Sequence, residues 1–99
     1  MDKIELDRRA EILKAIAHPD RLCIVYGLCR HQCNVGQLQN KLGLSQSGLS
    51  QHLAKLKAVG IIRGERNGKQ ICYHVVDGMT RDIVEKVFIG LDMTEEDCF

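Results

Sequence analysis

The sequence predicts a mainly α-helical domain with one β-hairpin between its fourth and fifth helices. Three observations lead there. Apolar residues recur at helical spacing in several segments, two of these segments are short and joined by a Gly-containing turn of about three residues, and the period changes around Asn67-Gly68. With 99 residues the chain is expected to be a single domain, 1–99, with a modest core and little room for an enclosed cleft.

The first helix is read over Ile4–Ile16, with Ile4, Ala10, Leu13 and Ile16 as its apolar stripe. The second opens at "HPDRL". His18 is a cap, Pro19 fills a first position that needs no N–H, and Leu22, Ile24, Val25 and Leu28 follow; it should end near Arg30 or His31. In "CNVGQLQNKLGLS", Asn34 can cap a third helix with Gln37 reaching back to it, Leu38 and Leu42 point inward, and Gly43 is a left-handed stop. Ser45 caps the fourth, from Gln46 to about Val59, with Leu49, Leu53 and Leu56 on one face and Gly60 at its end. Two short helices joined by a short Gly-containing turn form a helix-turn-helix. "IIRGERNGKQICYHVV" then reads as a basic hairpin with Asn67-Gly68 at its tip, a wing. A last helix capped at Thr80 carries Ile83, Val84, Val87, Phe88 and Leu91, more apolar surface than so small a domain covers alone.

Net charge is only +1, but it is unevenly spread. Residues 45–74 hold Lys55, Lys57, Arg63, Arg66 and Lys69 against Glu65 alone, whereas 92–99 hold Asp92, Glu95, Glu96 and Asp97 with no base. A polyanion responds to a basic face rather than to the total. The fourth helix turns Ser47, Gln51, Ala54, Lys55 and Ala58 away from its apolar side, with Ser50 and His52 on the flanks and no carboxylate on that face. Amides and hydroxyls suit base edges, small residues permit close approach, and cations suit phosphates. An ordinary solvated helix would usually carry some Asp or Glu there. Arg63, Arg66, Asn67 and Lys69 read as backbone or minor-groove contacts, against the alternative of an edge guarded by charge. No apolar run approaches a membrane span and the N-terminus lacks the apolar core of a signal peptide, so a cytoplasmic, membrane-free protein is expected. A thiol enzyme is disfavoured, because no Cys/His pair lies on a nucleophile turn.

The runs "HPDRLCIV" and "VGQLQNKLGLSQSGLSQHLAKLKAVGIIRGERNGKQICYHV" resemble the ArsR/SmtB family of bacterial winged helix-turn-helix repressors, over about residues 8–91. The resemblance implies a homodimer built from the first and last helices, with Leu13, Ile83, Val84, Val87, Phe88 and Leu91 at its interface. It implies a double-stranded DNA partner carrying an imperfect inverted repeat, and release by an inducer. The positions matching the family's DNA-contacting residues are Gln46, Ser47, Ser50, Gln51 and His52, to which the charge reading adds Lys55. A two-fold dimer would set its recognition helices about 34 Å apart, one turn of B-DNA.

The family's best-known metal positions are held here by Asn34 and Gly36, and the last helix has no His; the positions of its persulfide-sensing pair are held by Tyr26 and Asp92. Five cysteines remain, expected to be free thiols in a reducing compartment. Cys29 and Cys33 in "CRHQC" are the best candidates for a soft-metal or thiol-sensing site, with His31 or Cys98 as a third ligand and As(III) or another thiophilic ion as inducer. Thiol-redox or persulfide sensing, or no sensing, are the alternatives. Cys23 reads as a core residue, and Cys72 as either packed or reactive.

Overall fold

The computed structural model describes residues 1–30 and 35–91. In chain order the elements are α1 (Lys3–Ile16), α2 (Pro19–Arg30), α3 (Val35–Leu42), α4 (Gln46–Ala58), β1 (Ile62–Asn67), β2 (Gln70–Val75) and α5 (Gly78–Val87). The expected order is observed: a helix-turn-helix, a two-stranded antiparallel wing and a closing helix.

Helix ends follow local chemistry. Asp2 caps α1 by accepting from the Ile4 N–H, and the His18 Nδ1 accepts the Asp20 N–H at 3.1 Å where α2 begins. Gly43 and Gly60 close α3 and α4 with positive φ, where a Cβ would be strained. Two expectations are corrected. Asp77, not Thr80, caps α5: its Oδ2 accepts from both the Thr80 N–H and the Thr80 hydroxyl, because a carboxylate is the stronger acceptor and leaves the buried threonine satisfied. The hairpin loop is Gly68-Lys69, since Asn67 still pairs with Gln70; the left-handed residue is Gly68, which moves the tip one residue along.

The core lies where α2 is packed by all other helices and the wing. Ile24, Val25 and Leu28 of α2 meet Ile12 and Ile16 of α1, Leu38 of α3, Leu49, Leu53 and Leu56 of α4, Ile61, and Val84 and Phe88 of α5. Each such aliphatic side chain contributes roughly 1.5–3 kcal/mol by leaving water. On α1 the inward stripe is Ile12, Ala15 and Ile16, so Leu13, one position round the helix, stands 46% exposed. Tyr26 of α2 stacks on Phe88 at 4.0 Å, and the Arg81 guanidinium donates to the Val75 carbonyl, so α5 is tied to both α2 and β2.

Candidate nucleic-acid interface

Helix α4 is held at its start by the Ser45 Oγ, which accepts the Gly48 N–H at 2.9 Å. Glycine fits there because a Cβ at position 48 would lie 3.2 Å from that oxygen. Burial of Leu49, Leu53 and Leu56 fixes the rotation of the helix. That rotation leaves Gln46, Ser47, Ser50, Gln51 and Lys55 exposed on a helix with no acidic residue. These five stand where the sequence placed them.

His52 does not. Its side chain is only 15% exposed and turns toward the start of α2, where its ring centroid lies 4.8 Å from that of His18. The Arg21 Nε donates to its Nδ1 at 3.1 Å, and the same guanidinium donates through Nη1 to the Ala15 carbonyl of α1. Burial first, then the nearby His18, Arg21 and Lys55, lower the affinity of His52 for a proton, and Asp20 only partly offsets them.

The wing divides its bases between two faces. Side chains alternate along each strand, so Ile62, Gly64 and Arg66 share a face with their partners Val75, Tyr73 and Ile71, while Arg63, Glu65 and Asn67 share the other with His74, Cys72 and Gln70. The first face looks toward α4. A cleft of about 510 Å³ opens between them, lined by Gln46, Ser50 and Leu53 of α4 and by Lys69, Ile71 and Tyr73 of the wing. Gly64 makes this possible: a Cβ there would come within 3.1 Å of Ile71 Cγ2 and 3.2 Å of Tyr73 Cε1, so both side chains can lean across β1. Lys69 is thus brought beside the exposed face of α4, with Arg66 on the same side. Arg63 and Asn67 lie on the opposite face, where Glu65 is 3.3 Å from His74.

The cysteines behave differently from the expectation of five free thiols. Cys72 is disulfide-bonded and sits at a buried position of β2. Cys29 is partly buried near the end of α2; burial pushes its thiol pKa up, with the α5 residues Arg81 and Glu85 acting in opposite senses. Cys23 is also partly buried against the core. Cys33 and Cys98, His31 and the proposed cap Asn34 lie outside the described residues. Among the described residues, the metal-type side chains that come together are His18, Asp20 and His52, with ligand atoms within 4.8 Å of one another. Sequence reasoning missed this cluster because His52 lies more than thirty residues from His18 and Asp20.

Of the residues expected at a dimer interface, Leu13, Val87 and Leu91 are exposed and Ile83 is partly covered. Val84 and Phe88 are not available, because α5 turns that row into the protomer's own core. Ile4, Leu6 and Ile89 add exposed apolar surface on α1 and after α5. No helix among the described residues is long and apolar enough to cross a membrane.

Comparison with known proteins gives this arrangement a family. Residues 18–64 match the bacterial regulatory protein arsR family. The chain is 33% identical to the biofilm growth-associated repressor of Xylella fastidiosa over 89% of its own length and 81% of that protein. It is 40% identical to the HTH-type transcriptional repressor SmtB of Mycobacterium tuberculosis, over 80% of its length and 58% of the relative. The solved structure of HlyU from Vibrio cholerae superposes with a TM-score of 0.82 at 30% identity, covering 94% of this chain and all of that one. These relatives are transcriptional regulators rather than enzymes, and HlyU is named an activator where the other two are repressors. With a helix-turn-helix, a basic wing and identity sustained over most of its length, the chain belongs to the ArsR family of bacterial regulatory proteins.

Proposed function

We propose that the protein is a homodimeric transcriptional repressor that reads an imperfect inverted repeat in double-stranded DNA. The observation that carries this reading is the acid-free face of α4 beside the two bases on the inner side of the wing. Gln51 and Ser47 read base edges, Gln46 and Ser50 flank them, and Lys55, Arg66 and Lys69 anchor phosphates. Arg63 and Asn67 stand on the far face of the wing and are left out of this contact set. Dimerisation through α1 and the end of α5 covers Ile4, Leu6, Leu13, Val87, Ile89 and Leu91, large apolar side chains that are otherwise exposed on a small domain.

The inducer is a thiophilic species acting at cysteine, As(III) or a related soft ion, or a persulfide or oxidant that modifies the same thiol. Cys29 supports this: it lies at the seam between α2 and α5, so a group bound there acts on the helix that carries the dimer surface. Coupling of about 1–3 kcal/mol would change operator occupancy about 5- to 150-fold.

In vitro transcription from the protein's own promoter tests the sign of regulation. Added protein should lower transcript yield, and As(III) should restore it for wild type but not for Cys29→Ser. Higher yield on adding protein would assign activation instead. Loss of repression by As(III) in both proteins would remove Cys29 from the mechanism.

A further inference from the structure

Four side chains meet where α1 ends, α2 begins and α4 passes over both. The Arg21 guanidinium is shared: Nη1 donates to the Ala15 carbonyl in the last turn of α1, and Nε donates to His52 Nδ1 on α4, each at 3.1 Å. His18 lies against His52 and uses its own Nδ1 to accept the Asp20 N–H. One cation therefore bridges the helix that carries part of the dimer surface and the helix that carries the base-reading face.

The hydrogen bonds fix the protons. A guanidinium only donates, so His52 Nδ1 must present a lone pair and its proton must sit on Nε2. His18 is constrained in the same way by the Asp20 backbone N–H. A histidine that binds a metal through Nε2 donates its other N–H to an acceptor, the reverse of what both rings do here. The cluster of His18, Asp20 and His52 is therefore poorly set for a metal ion and well set to respond to a proton. Adding one at His52 Nδ1 would aim N–H at N–H and set an imidazolium charge against that of the Arg21 guanidinium. The groups facing His52 are His18 at the α1–α2 junction, Asp20 and Arg21 of α2, and Lys55 on α4 itself. The nearest opposing charge, Asp20 Oδ2, is 3.7 Å from Nε2, too far for a hydrogen bond.

We propose that Arg21 is a positioning residue for DNA recognition: acting through neutral His52, it holds α4 against the end of α1, and acid undoes this hold. The inference rests on the DNA-binding reading above. It makes a prediction of unusual sign. A histidine near DNA that gains charge ordinarily tightens binding to a polyanion. Here protonation should loosen it, because the base-reading face is no longer held in register with the dimer.

The test is binding of a fluorescent promoter duplex at fixed ionic strength from pH 8 to pH 5.5, with circular dichroism at each pH to follow the fold. Wild type should bind several-fold more weakly at pH 5.5 than at pH 8 with its helix content unchanged. In His52→Asn the amide oxygen can stand near the place of Nδ1, accept from Arg21 and never titrate, so its profile should be flat. Arg21→Met should bind more weakly than wild type at pH 8 and should also lose the acid sensitivity. His18→Asn, which keeps a capping acceptor for Asp20 but removes one group that lowers the proton affinity of His52, should stay acid-sensitive with its profile moved toward higher pH. The inference is overturned if wild type binds equally or more tightly in acid, if His52→Asn keeps the wild-type profile, or if His18→Asn alone becomes flat. Should wild type fail to prefer the promoter duplex at any pH, the DNA-binding reading falls, and this inference falls with it.

Discussion

Replacing Lys69 by alanine should change how binding depends on salt, by an amount that follows from where the wing's bases stand. Lys69 lines the cleft opposite Gln46 and Ser50, Arg66 is on the same face of the hairpin, and Lys55 is exposed on α4. Three phosphate contacts per protomer make six per dimer. At about 0.9 released counterions per contact, the slope of log K against log salt should be about −5, a loss of roughly a thousandfold between 50 and 200 mM salt. Lys69→Ala removes one contact from each protomer and should make the slope shallower by about two. Arg63 is on the opposite face, so Arg63→Ala should leave the slope within about half a unit of wild type. Fluorescence anisotropy titrations at five or six salt concentrations read all three slopes. Equal changes for Lys69→Ala and Arg63→Ala would refute the division of the wing into an inner and an outer face.

Other consequences can be measured independently. Gln51→Ala should cost ~1–3 kcal/mol on the operator while leaving the salt slope unchanged, because a base contact carries sequence preference and no counterion release; an equal loss on random DNA would mean that Gln51 does not read bases. Ser45→Ala removes the acceptor of the Gly48 N–H and should lower stability by ~1 kcal/mol, a drop of about 4–8 °C in thermal midpoint. No shift in the melt would show that this cap contributes nothing. Burial holds the Cys29 thiol pKa above its ordinary value, so at pH 7 it should react with iodoacetamide more slowly than free cysteine and accelerate through the alkaline range. A rate already at its plateau at pH 7 would contradict that environment.

Much of this architecture was legible because local signals coincided. Ser45, the leucines at 49, 53 and 56, and Gly60 agree on the extent and rotation of α4, and the Asn-Gly pair with its flanking alternation places the wing. Where two residues compete for one role, sequence alone chose wrongly. Ile12 and Leu13 both fit a helical stripe, and only packing against α2 and α4 decides that Ile12 goes inward. Asp77 and Thr80 are both good caps, and the stronger acceptor prevails. Val84 and Phe88 look like interface residues from periodicity, but Phe88 stacks on Tyr26, more than sixty positions earlier. The inward turn of His52 has the same origin. A helical wheel puts it on a flank, and only a partner thirty-one residues away shows which way it faces.

The most direct test of the central claim is equilibrium competition between a duplex from the protein's own promoter region and random duplexes of the same length at physiological salt. A dimeric reader of an inverted repeat should prefer its own sequence by about a thousandfold or more. It should bind as two protomers per duplex and protect two patches about 34 Å apart on one side of the helix. Equal competition by random DNA, or a single protected patch bound by one protomer, would contradict it.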